Sequence, residues 1–371
     1  MRKTIIMLLL LAFAKLSLQG QTLSADLDAL MQKHYSSNTP GAALWVFKQG
    51  KILKEQGYGL GDLDKQTPVS THTHFRMASV SKQITALSTY RLIQEGKLQF
   101  DTSIGTLFTG LAPAVQAITV TQLLQHTSGI WDYESLIPED QKDQVLDADV
   151  LQLIRGVDST YFTPGTQFRY SNTGYCLLAL IVAKVSGKTY ADFARQTIFE
   201  PLGMHTTLLF EKAGEAEIQQ RAYGYHQQAG KWVFADQSLT SATQGDGGVY
   251  TSISEYGLWV QALIKGAGWL KDYLHTIQTQ AVPVKDKVQY SMGWFLYPGE
   301  QGGYFLFHSG ESTGFHNIVY INPRKQEAAV LFTNRDDMKI APTFQSVLQR
   351  LDMAEAWTKK VDLFTWLNQT Y

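Results

Sequence analysis

Ser79 and Lys82 are spaced so that one side chain could activate the other. At i and i+3 near the start of a predicted helix, the two side chains fall on one face. A serine hydroxyl becomes a good nucleophile when a base takes its proton, and a lysine can be that base only when it is neutral. Burial and neighbouring donors would have to lower the pKa of Lys82 from a free value of about 10.4. The pair therefore predicts covalent acyl-transfer chemistry, whereas a helix-capping serine and an exposed lysine are the alternative.

Tyr170 and Asn172 could complete such a site. Residues separated by one position in an extended or looped segment point the same way. Tyr170 could pass a proton between Ser79, water and a leaving group, and Asn172 could hydrogen-bond Lys82 and a substrate amide oxygen. The alternative is a core tyrosine and a turn asparagine before a helix that starts at Thr173.

The tripeptide His308-Ser309-Gly310 follows the apolar run 304–307, so we expect it at the end of a strand. A bound acyl group could pair with that strand as an added strand. Gly310 would permit close approach of a substrate backbone, and Ser309 offers a hydroxyl to a carboxylate or an amide. His308 would supply a polar group that titrates near pH 7. A surface turn at Ser-Gly is the competing interpretation.

The elements that must position these residues follow a simple order along the chain. Strand-like runs lie at both ends and helix-like runs lie between them, and an isolated hairpin near the beginning would be only marginally stable. We therefore expect an α+β fold: one antiparallel sheet closed by strands from both ends, flanked by helices, with an all-helical lobe inserted. The expected strands are 42–47, 52–58, 289–296, 304–308, 315–321 and 328–333, and the expected helices are 79–95, 121–125, 148–155, 173–185, 190–198, 254–264 and 341–351. The sheet lobe would comprise about 21–75 and 288–371, and the helical lobe about 76–287.

Composition excludes several function classes. The chain has 371 residues, a formal net charge of −1 and no Lys/Arg-rich run, which argues against a nucleic-acid partner. Its 44% hydrophobic content can fill a substantial core, and no linker divides it, so we expect one catalytic domain with two lobes. The single cysteine, Cys176, has no partner for an internal disulfide, and we expect it to be buried.

The first residues are typical of a secretory signal peptide. Arg2 and Lys3 precede the apolar run 5–13, and small and polar residues continue to Gly20. We expect residues 1–20 to be removed, which leaves a domain over 21–371 without a stable membrane span, located in the periplasm or secreted. A buried first helix or an uncleaved anchor is the alternative.

Several residues that could do chemistry are assigned structural roles. His72 and His74 lack a third ligand at useful spacing, so we expect no metal site there. His126 more often makes a turn-stabilising hydrogen bond than it catalyses. Three arginines could bind a substrate carboxylate but are expected to be solvated: Arg76, Arg169 and Arg335.

Taken together, the three motifs resemble the serine β-lactamase and penicillin-binding superfamily, whose signature is S-x-x-K, S-D-N and K-T-G. Tyr170-Ser171-Asn172 and His308-Ser309-Gly310 depart from the last two motifs. This pair of changes is similar to the branch that holds class C β-lactamases, D-alanyl-D-alanine carboxypeptidases, D-aminopeptidases and related esterases. Other segments also look like family segments in family order: Phe75-Arg76-Met77-Ala78-Ser79, Leu123-Leu124-Gln125-His126-Thr127-Ser128-Gly129, Pro201-Leu202-Gly203-Met204, Gly247-Gly248-Val249-Tyr250-Thr251-Ser252 and Tyr290-Ser291-Met292-Gly293-Trp294.

The resemblance implies a mechanism and a set of roles. The implied catalytic residues are Ser79, Lys82 and Tyr170, and the implied substrate-binding residues are Asn172, His308, Ser309 and Gly310. The backbone N–H groups of Ser79 and Glu311 would form the oxyanion hole. No metal or organic cofactor is implied. Whether Lys82 or Tyr170 is the acylation base stays open, because coupled groups titrate as a unit.

The function that follows is an exported serine hydrolase that forms an acyl-enzyme at Ser79. Its expected substrates are D-amino-acid peptides, peptidoglycan-like fragments, or small esters and amides, in the manner of a DD-carboxypeptidase. A class C-like β-lactamase or an esterase is the nearest alternative. A module that binds or senses penicillins or cell-wall fragments without turnover is the alternative from another class.

Overall fold

The computed structural model describes residues 22–210, 217–266 and 268–371. The predicted signal peptide lies outside the described residues. Within the described ranges, no helix is both long enough and apolar enough to cross a membrane.

A large antiparallel sheet organises the described chain. The strands, in chain order, are β1 (Ala42–Lys48), β2 (Lys51–Tyr58), β3 (Leu60–Asp62), β4 (Thr67–Pro68), β5 (His74–Arg76), β6 (Leu208–Leu209), β7 (Tyr225–Gln228), β8 (Lys231–Phe234), β9 (Val249–Ser252), β10 (Val282–Pro283), β11 (Gln289–Ser291), β12 (Trp294–Pro298), β13 (Tyr304–Ser312), β14 (Phe315–Asn322) and β15 (Glu327–Thr333). Eight of them form one sheet in the order β10-β11-β12-β13-β14-β15-β1-β2. Ala43 of β1 lies opposite Phe332 of β15, which confirms a sheet closed by strands from both ends of the domain.

Helices cover this sheet and form a lobe beside it. They are α1 (22–34), α2 (Lys82–Gln94), α3 (Ile104–Leu107), α4 (Pro113–Gln116), α5 (Val120–Leu124), α6 (Asp147–Arg155), α7 (Asn172–Ser186), α8 (Tyr190–Ala194), α9 (Glu200–Leu202), α10 (Gln244–Gly247), α11 (Ile253–Lys265), α12 (Leu270–Thr279), α13 (Ile340–Arg350) and α14 (Leu363–Asn368). The expected combination of an antiparallel sheet, flanking helices and a helical lobe is confirmed.

Both faces of the central strands are buried, which explains the nearly continuous apolar run of β1. Ala42, Leu44 and Val46 belong to a core shared with α1, α13 and α14. Trp45 and its alternate neighbours belong to the second core, shared with α2, α7 and α11. Helix α11, which the expected boundary assigns to the helical lobe, packs on this face of the sheet. An added Cβ at Gly257 of α11 would lie 2.6 Å from the Trp45 indole nitrogen, so the helix approaches the strand closely only because position 257 is glycine.

Several element boundaries differ from those expected. The single strand expected over 289–296 is two strands, because Met292 and Gly293 take left-handed φ values of 49° and 83°. The expected strand 304–308 extends to Ser312, and the expected helix 190–198 ends at Ala194 and continues as a π turn. Helices α1, α12 and α14 and the short helices α3, α4, α9 and α10 were not predicted.

Candidate active site

A tight turn presents Ser79. The helix expected from Ser79 begins instead as a 3-10 turn, Ala78–Ser81, and only then becomes α2. Ala78 has a φ of +48°, an unfavourable value for a residue with a side chain, directly before the serine. Side chains three residues apart eclipse each other in a 3-10 turn, and the Lys82 Nζ lies 3.1 Å from the Ser79 Oγ. Among the described residues, no backbone N–H donates to the Ser79 hydroxyl, so it is not a helix cap.

Lys82 is fully buried and bonded on two further sides. Its Nζ donates to the Asn172 Oδ1 at 2.8 Å and to the backbone oxygen of Asp246 at 3.0 Å. The Asn172 Nδ2 donates in turn to a Glu134 carboxylate oxygen at 3.2 Å, which fixes which way the amide faces. The lysine amine is therefore held against Ser79 by groups from two other parts of the chain.

Burial lowers the pKa of Lys82 from 10.5 to about 8, which agrees with the direction expected from the sequence. The neighbours act in the opposite sense to that expected, because the Asp246 carboxylate favours the ammonium and raises this pKa. The neutral amine is thus well populated near pH 8, and loss of solvent is the cause.

Tyr170 lies beside this pair, immediately before the residue that caps α7. The cap is Ser171, whose side chain accepts from the Gly174 N–H at 3.2 Å, so α7 starts at Asn172 and not at Thr173. The Lys82 Nζ lies 5.0 Å from the centre of the Tyr170 ring. Burial raises the pKa of Tyr170 well above its ordinary value, and the nearby Ser79 hydroxyl opposes only part of that rise. The phenol oxygen is buried without a well-aligned hydrogen-bond partner among the described residues.

His126 supports Tyr170, which confirms the structural role expected for it. Its Nδ1 accepts from the Ser171 N–H at 3.1 Å, and its ring centre lies 4.3 Å from that of Tyr170. Burial holds the pKa of His126 well below its ordinary value, so the ring is neutral and accepts this bond at neutral pH. The histidine thereby fixes the backbone that carries Tyr170 and Asn172.

Strand β13 brings the third motif against the 3-10 turn that carries Ser79. Gly310 lies where an added Cβ would overlap the carbonyl oxygen of Met77, so the glycine lets the strand approach this turn. The sequence suggested that it made room for a substrate backbone. His308 does not titrate near pH 7 as suggested, because burial lowers its pKa to about 3. Its Nδ1 lies 2.6 Å from the Ser309 carbonyl oxygen.

The Ser309 backbone faces away from β14. Its N–H donates to the Tyr371 hydroxyl at 3.3 Å, and its carbonyl oxygen accepts from the same hydroxyl at 3.4 Å. Backbone groups two residues apart on a strand point the same way, so the N–H of Glu311 also faces this edge. Strand β12 covers the edge only as far as Phe307, which lies opposite Phe295. On this edge, the part of β13 nearest Ser79 therefore has no strand partner among the described residues, while β14 pairs with it on the other edge.

A polar cleft of about 240 Å³ opens beside Ser79. Its walls include Ser79, Asn172 and Glu311 from the predicted set, two residues that sequence reasoning missed, Glu134 and Asp246, and also Arg76. Glu134 follows a tryptophan-aspartate-tyrosine loop with no distinctive spacing, and Asp246 accepts from Lys82 through its backbone oxygen, a contact that a sequence pattern does not reveal. Of the three arginines expected to be solvated, Arg169 is exposed, but Arg76 and Arg335 are only 3% and 4% exposed, and Arg335 is paired with Asp337.

A larger and more apolar cavity of about 370 Å³ lies between α7 and the loop before α6. Its lining includes Leu146, Ala179, Ala183 and Tyr190. It holds no nucleophile beside a base, so the smaller polar cleft is the better candidate for chemistry.

Comparisons with known proteins agree with this geometry. The beta-lactamase family profile matches residues 23–345. Penicillin-binding protein 4* of Bacillus subtilis (strain 168) is 29% identical over 333 residues, which cover 84% of this chain and 70% of that protein. Protein flp of Staphylococcus aureus (strain MW2) is 28% identical over 304 residues, and the match spans 80% of this chain but only 59% of that protein.

Solved structures share the fold. A penicillin binding protein from Bacillus halodurans superimposes with a TM-score of 0.75 at 25% identity, covering 88% of this chain and 98% of that one. The D-amino acid amidase from Ochrobactrum anthropi SV3 gives a TM-score of 0.73 at 23% identity, covering 89% and 99% of the two chains, and shows the fold alone. The chain therefore belongs to the beta-lactamase family and is a serine hydrolase related to the penicillin-binding proteins.

Proposed function

We propose that Ser79 is the nucleophile of an acyl-transfer reaction and that Lys82 is the base that activates it. The observation that carries this proposal is the hydrogen bonding of the Lys82 Nζ. Two of its partners, the Asn172 Oδ1 and the Asp246 backbone oxygen, can only accept. A neutral amine has two N–H donors and one lone pair, so with both donors used the lone pair faces the Ser79 hydroxyl.

Tyr170 is better suited to donate a proton in this reaction than to accept one. Its raised pKa keeps the phenol protonated near neutral pH, so it is a poor acylation base and a suitable proton donor. We assign acylation to Lys82, which takes the Ser79 proton as Oγ bonds the substrate carbonyl carbon. That proton then reaches the leaving group through Tyr170, and water later releases the acyl group by the reverse sequence.

The developing oxyanion would be held by the backbone N–H groups of Ser79 and Glu311. Both residues line the cleft, and the direction derived for the Glu311 N–H along the open edge of β13 supports this role. Asn172 would bind the substrate amide, and His308, Ser309 and Gly310 would form the wall along which the acyl group lies.

The substrates that fit this proposal are small esters and amides, D-amino-acid peptides and peptidoglycan-like fragments. The match to penicillin-binding protein 4* supports a peptide or β-lactam acyl donor, so β-lactam hydrolysis is the second candidate. We also propose that the protein is exported, on the strength of the basic, apolar and small-residue pattern over residues 1–20. The mass of the protein recovered from a cell-envelope fraction would test export.

A turnover assay separates these possibilities. The wild type and Ser79→Ala would be supplied with a neutral ester, a D-amino-acid amide, a D-alanyl-D-alanine peptide and a penicillin. Turnover of at least one class by the wild type alone is expected. Equal rates in the two proteins for every class would overturn the proposal and leave a binding module.

A further inference from the structure

Tyr371 lies in the candidate active site, although its sequence position gives no hint of this. Its hydroxyl is 2.7 Å from the Ser309 Oγ and 3.3 Å from the His308 Nδ1, in addition to its contacts with the Ser309 backbone. Its ring centre is 4.5 Å from that of Tyr170. One phenol therefore contacts the side chain and both backbone polar groups of Ser309.

The position that Tyr371 occupies is the one that a substrate would need. The open edge of β13 begins at His308, where pairing with β12 has ended. An acyl group that pairs with this edge would use the Ser309 N–H and carbonyl, and a substrate carboxylate would use the Ser309 hydroxyl. All three groups already have Tyr371 as a partner.

Helix α14 fixes the approach of Tyr371. Leu363, Phe364 and Leu367 are buried against the sheet, and the Trp366 Nε1 donates to an Asp286 carboxylate oxygen at 3.0 Å. The Asn368 Nδ2 donates to the Glu311 carboxylate at 2.6 Å. The segment that carries Tyr371 is thus attached both to the core and to the strand that it covers.

The charge at this edge of β13 also disfavours a substrate carboxylate. The second carboxylate oxygen of Glu311 accepts from the Ser309 Oγ at 3.3 Å, so a negative charge already lies beside the hydroxyl. Burial around its hydroxyl end raises the pKa of Tyr371 above its ordinary range, although 40% of the residue is exposed. The phenol therefore stays neutral and protonated at neutral pH. An incoming carboxylate would have to displace it and approach Glu311.

We propose that Tyr371 is a specificity-determining residue that fills the Ser309 subsite, so that the enzyme selects neutral esters or amides over substrates that carry a carboxylate beside the scissile bond. This inference rests on the proposed acyl transfer at Ser79. It narrows the substrate class by disfavouring acyl donors with a free terminal carboxylate, among them D-alanyl-D-alanine peptides and penicillins.

A matched pair of substrates tests this selection. One is an N-acylglycyl thioester of thioglycolate, which carries a free carboxylate, and the other is its methyl ester, in which a methyl group replaces that charge. Released thiol gives kcat/KM for each substrate in the wild type, Tyr371→Phe and Tyr297→Phe. Tyr297 is the matched control because its ring stacks on Trp357, with 4.3 Å between ring centres, at a position away from the cleft.

We expect Tyr371→Phe to raise the ratio of carboxylate to methyl-ester kcat/KM by about fivefold to tenfold, as the Ser309 donors are released. Tyr297→Phe should leave that ratio within about twofold of wild type. Ser79-dependent turnover with an unchanged or lowered ratio in Tyr371→Phe would overturn this inference alone. Thiol release that is equal in the wild type and Ser79→Ala would overturn the proposed function itself.

Discussion

To act as the proposed base, the side chain of Lys82 must do two things that a lysine in water cannot do: lose its proton near neutral pH and direct its lone pair at one hydroxyl. Burial provides the first, by lowering the pKa to about 8. The two acceptor partners, Asn172 and the Asp246 backbone, provide the second. The need for such a shift could be read from the Ser79-Lys82 spacing. The Asp246 acceptor could not be read from it, because Asp246 is 164 positions away from Lys82 in sequence.

The pH dependence of acylation tests this role of Lys82. Since the base must be neutral, the acylation rate should rise about tenfold per pH unit below about 8 and level off above it. Lys82→Met should lower the rate by about a hundredfold or more. Lys65→Met, at a lysine whose side chain is 75% exposed, is the control and should retain the wild-type profile. A wild-type rate that is flat between pH 6 and pH 9 would argue against Lys82 as the base.

Gly310 is a second residue whose identity the structure explains. Because an added Cβ would overlap the Met77 carbonyl oxygen, Gly310→Ala must push β13 away from the 3-10 turn that carries Ser79. We expect a loss of about 1–3 kcal/mol in the free energy of unfolding and a fall of about tenfold or more in acylation. Urea denaturation and burst kinetics measure the two effects.

Gly61→Ala is the matched control for Gly310→Ala. Gly61 also lies in a strand, but its nearest neighbour would be 3.6 Å from the new Cβ, which is an ordinary contact. Similar losses in the two variants would show that the close approach of β13 to Met77 has no special importance.

At the level of elements, the periodic apolar patterns were sufficient to predict the strands at both ends and most of the long helices, although α1 and α12 were missed. They failed where the chain turns within an apolar run. Met292 and Gly293 divide one expected strand into two, and left-handed φ values at these positions are not visible as a break in hydrophobicity. The 3-10 turn that carries Ser79 was not predicted for the same reason. Ala78 is a good helix former, and its positive φ is not visible in the sequence pattern.

Helix α10 shows how one element positions another part of the site. The Gln244 and Gly245 N–H groups donate to the Asp147 carboxylate at 3.0 and 3.3 Å, and the next residue, Asp246, offers its carbonyl to Lys82. Burial raises the pKa of Asp147 from 3.8 to about 7. The ionised carboxylate of Asp147 is therefore less favourable in the folded protein than in the unfolded chain, and this free-energy difference depends on pH.

The raised pKa of Asp147 predicts the direction in which stability changes with pH. The folded pKa of Asp147 lies above the unfolded one. The contribution of Asp147 to the free energy of unfolding is therefore fully present below about pH 4, where the carboxyl is protonated, and is lost as pH rises through about 7. The free energy of unfolding of the wild type, relative to Asp147→Asn, should therefore fall between pH 5 and pH 8. Urea denaturation of both proteins across this range measures the difference. A difference that grows with pH would contradict the assignment.

At the scale of the whole molecule, the two ends of the domain meet in one sheet, and the last helix completes its outer core. The sequence shows apolar residues near Phe364, and in the structure they are buried in that core. It could not predict that α14 also delivers Tyr371 to Ser309, because three polar residues follow the apolar turn without any motif. Contacts between segments distant in sequence set this arrangement.

If α14 is part of the cooperative core, weakening its packing should destabilise the whole domain. Phe364 is fully buried, so Phe364→Ala should lower the free energy of unfolding by about 3–5 kcal/mol. Phe234→Ala is the control, because Phe234 is 60% exposed and its loss should cost about 0.5 kcal/mol or less. Denaturation midpoints followed by tryptophan fluorescence would measure both. A separate early transition in Phe364→Ala, with the main midpoint unchanged, would show that α14 is not coupled to the sheet.

We propose that this chain carries out its chemistry through a covalent bond to Ser79. The intact mass of the purified protein, after incubation with a neutral fluorophosphonate that phosphonylates an activated serine and releases fluoride, tests this bond. We expect a single increment on the wild type, mapped by peptide mass to Ser79, and none on Ser79→Ala. Equal labelling of the two proteins, or an increment that maps to another residue, would contradict it.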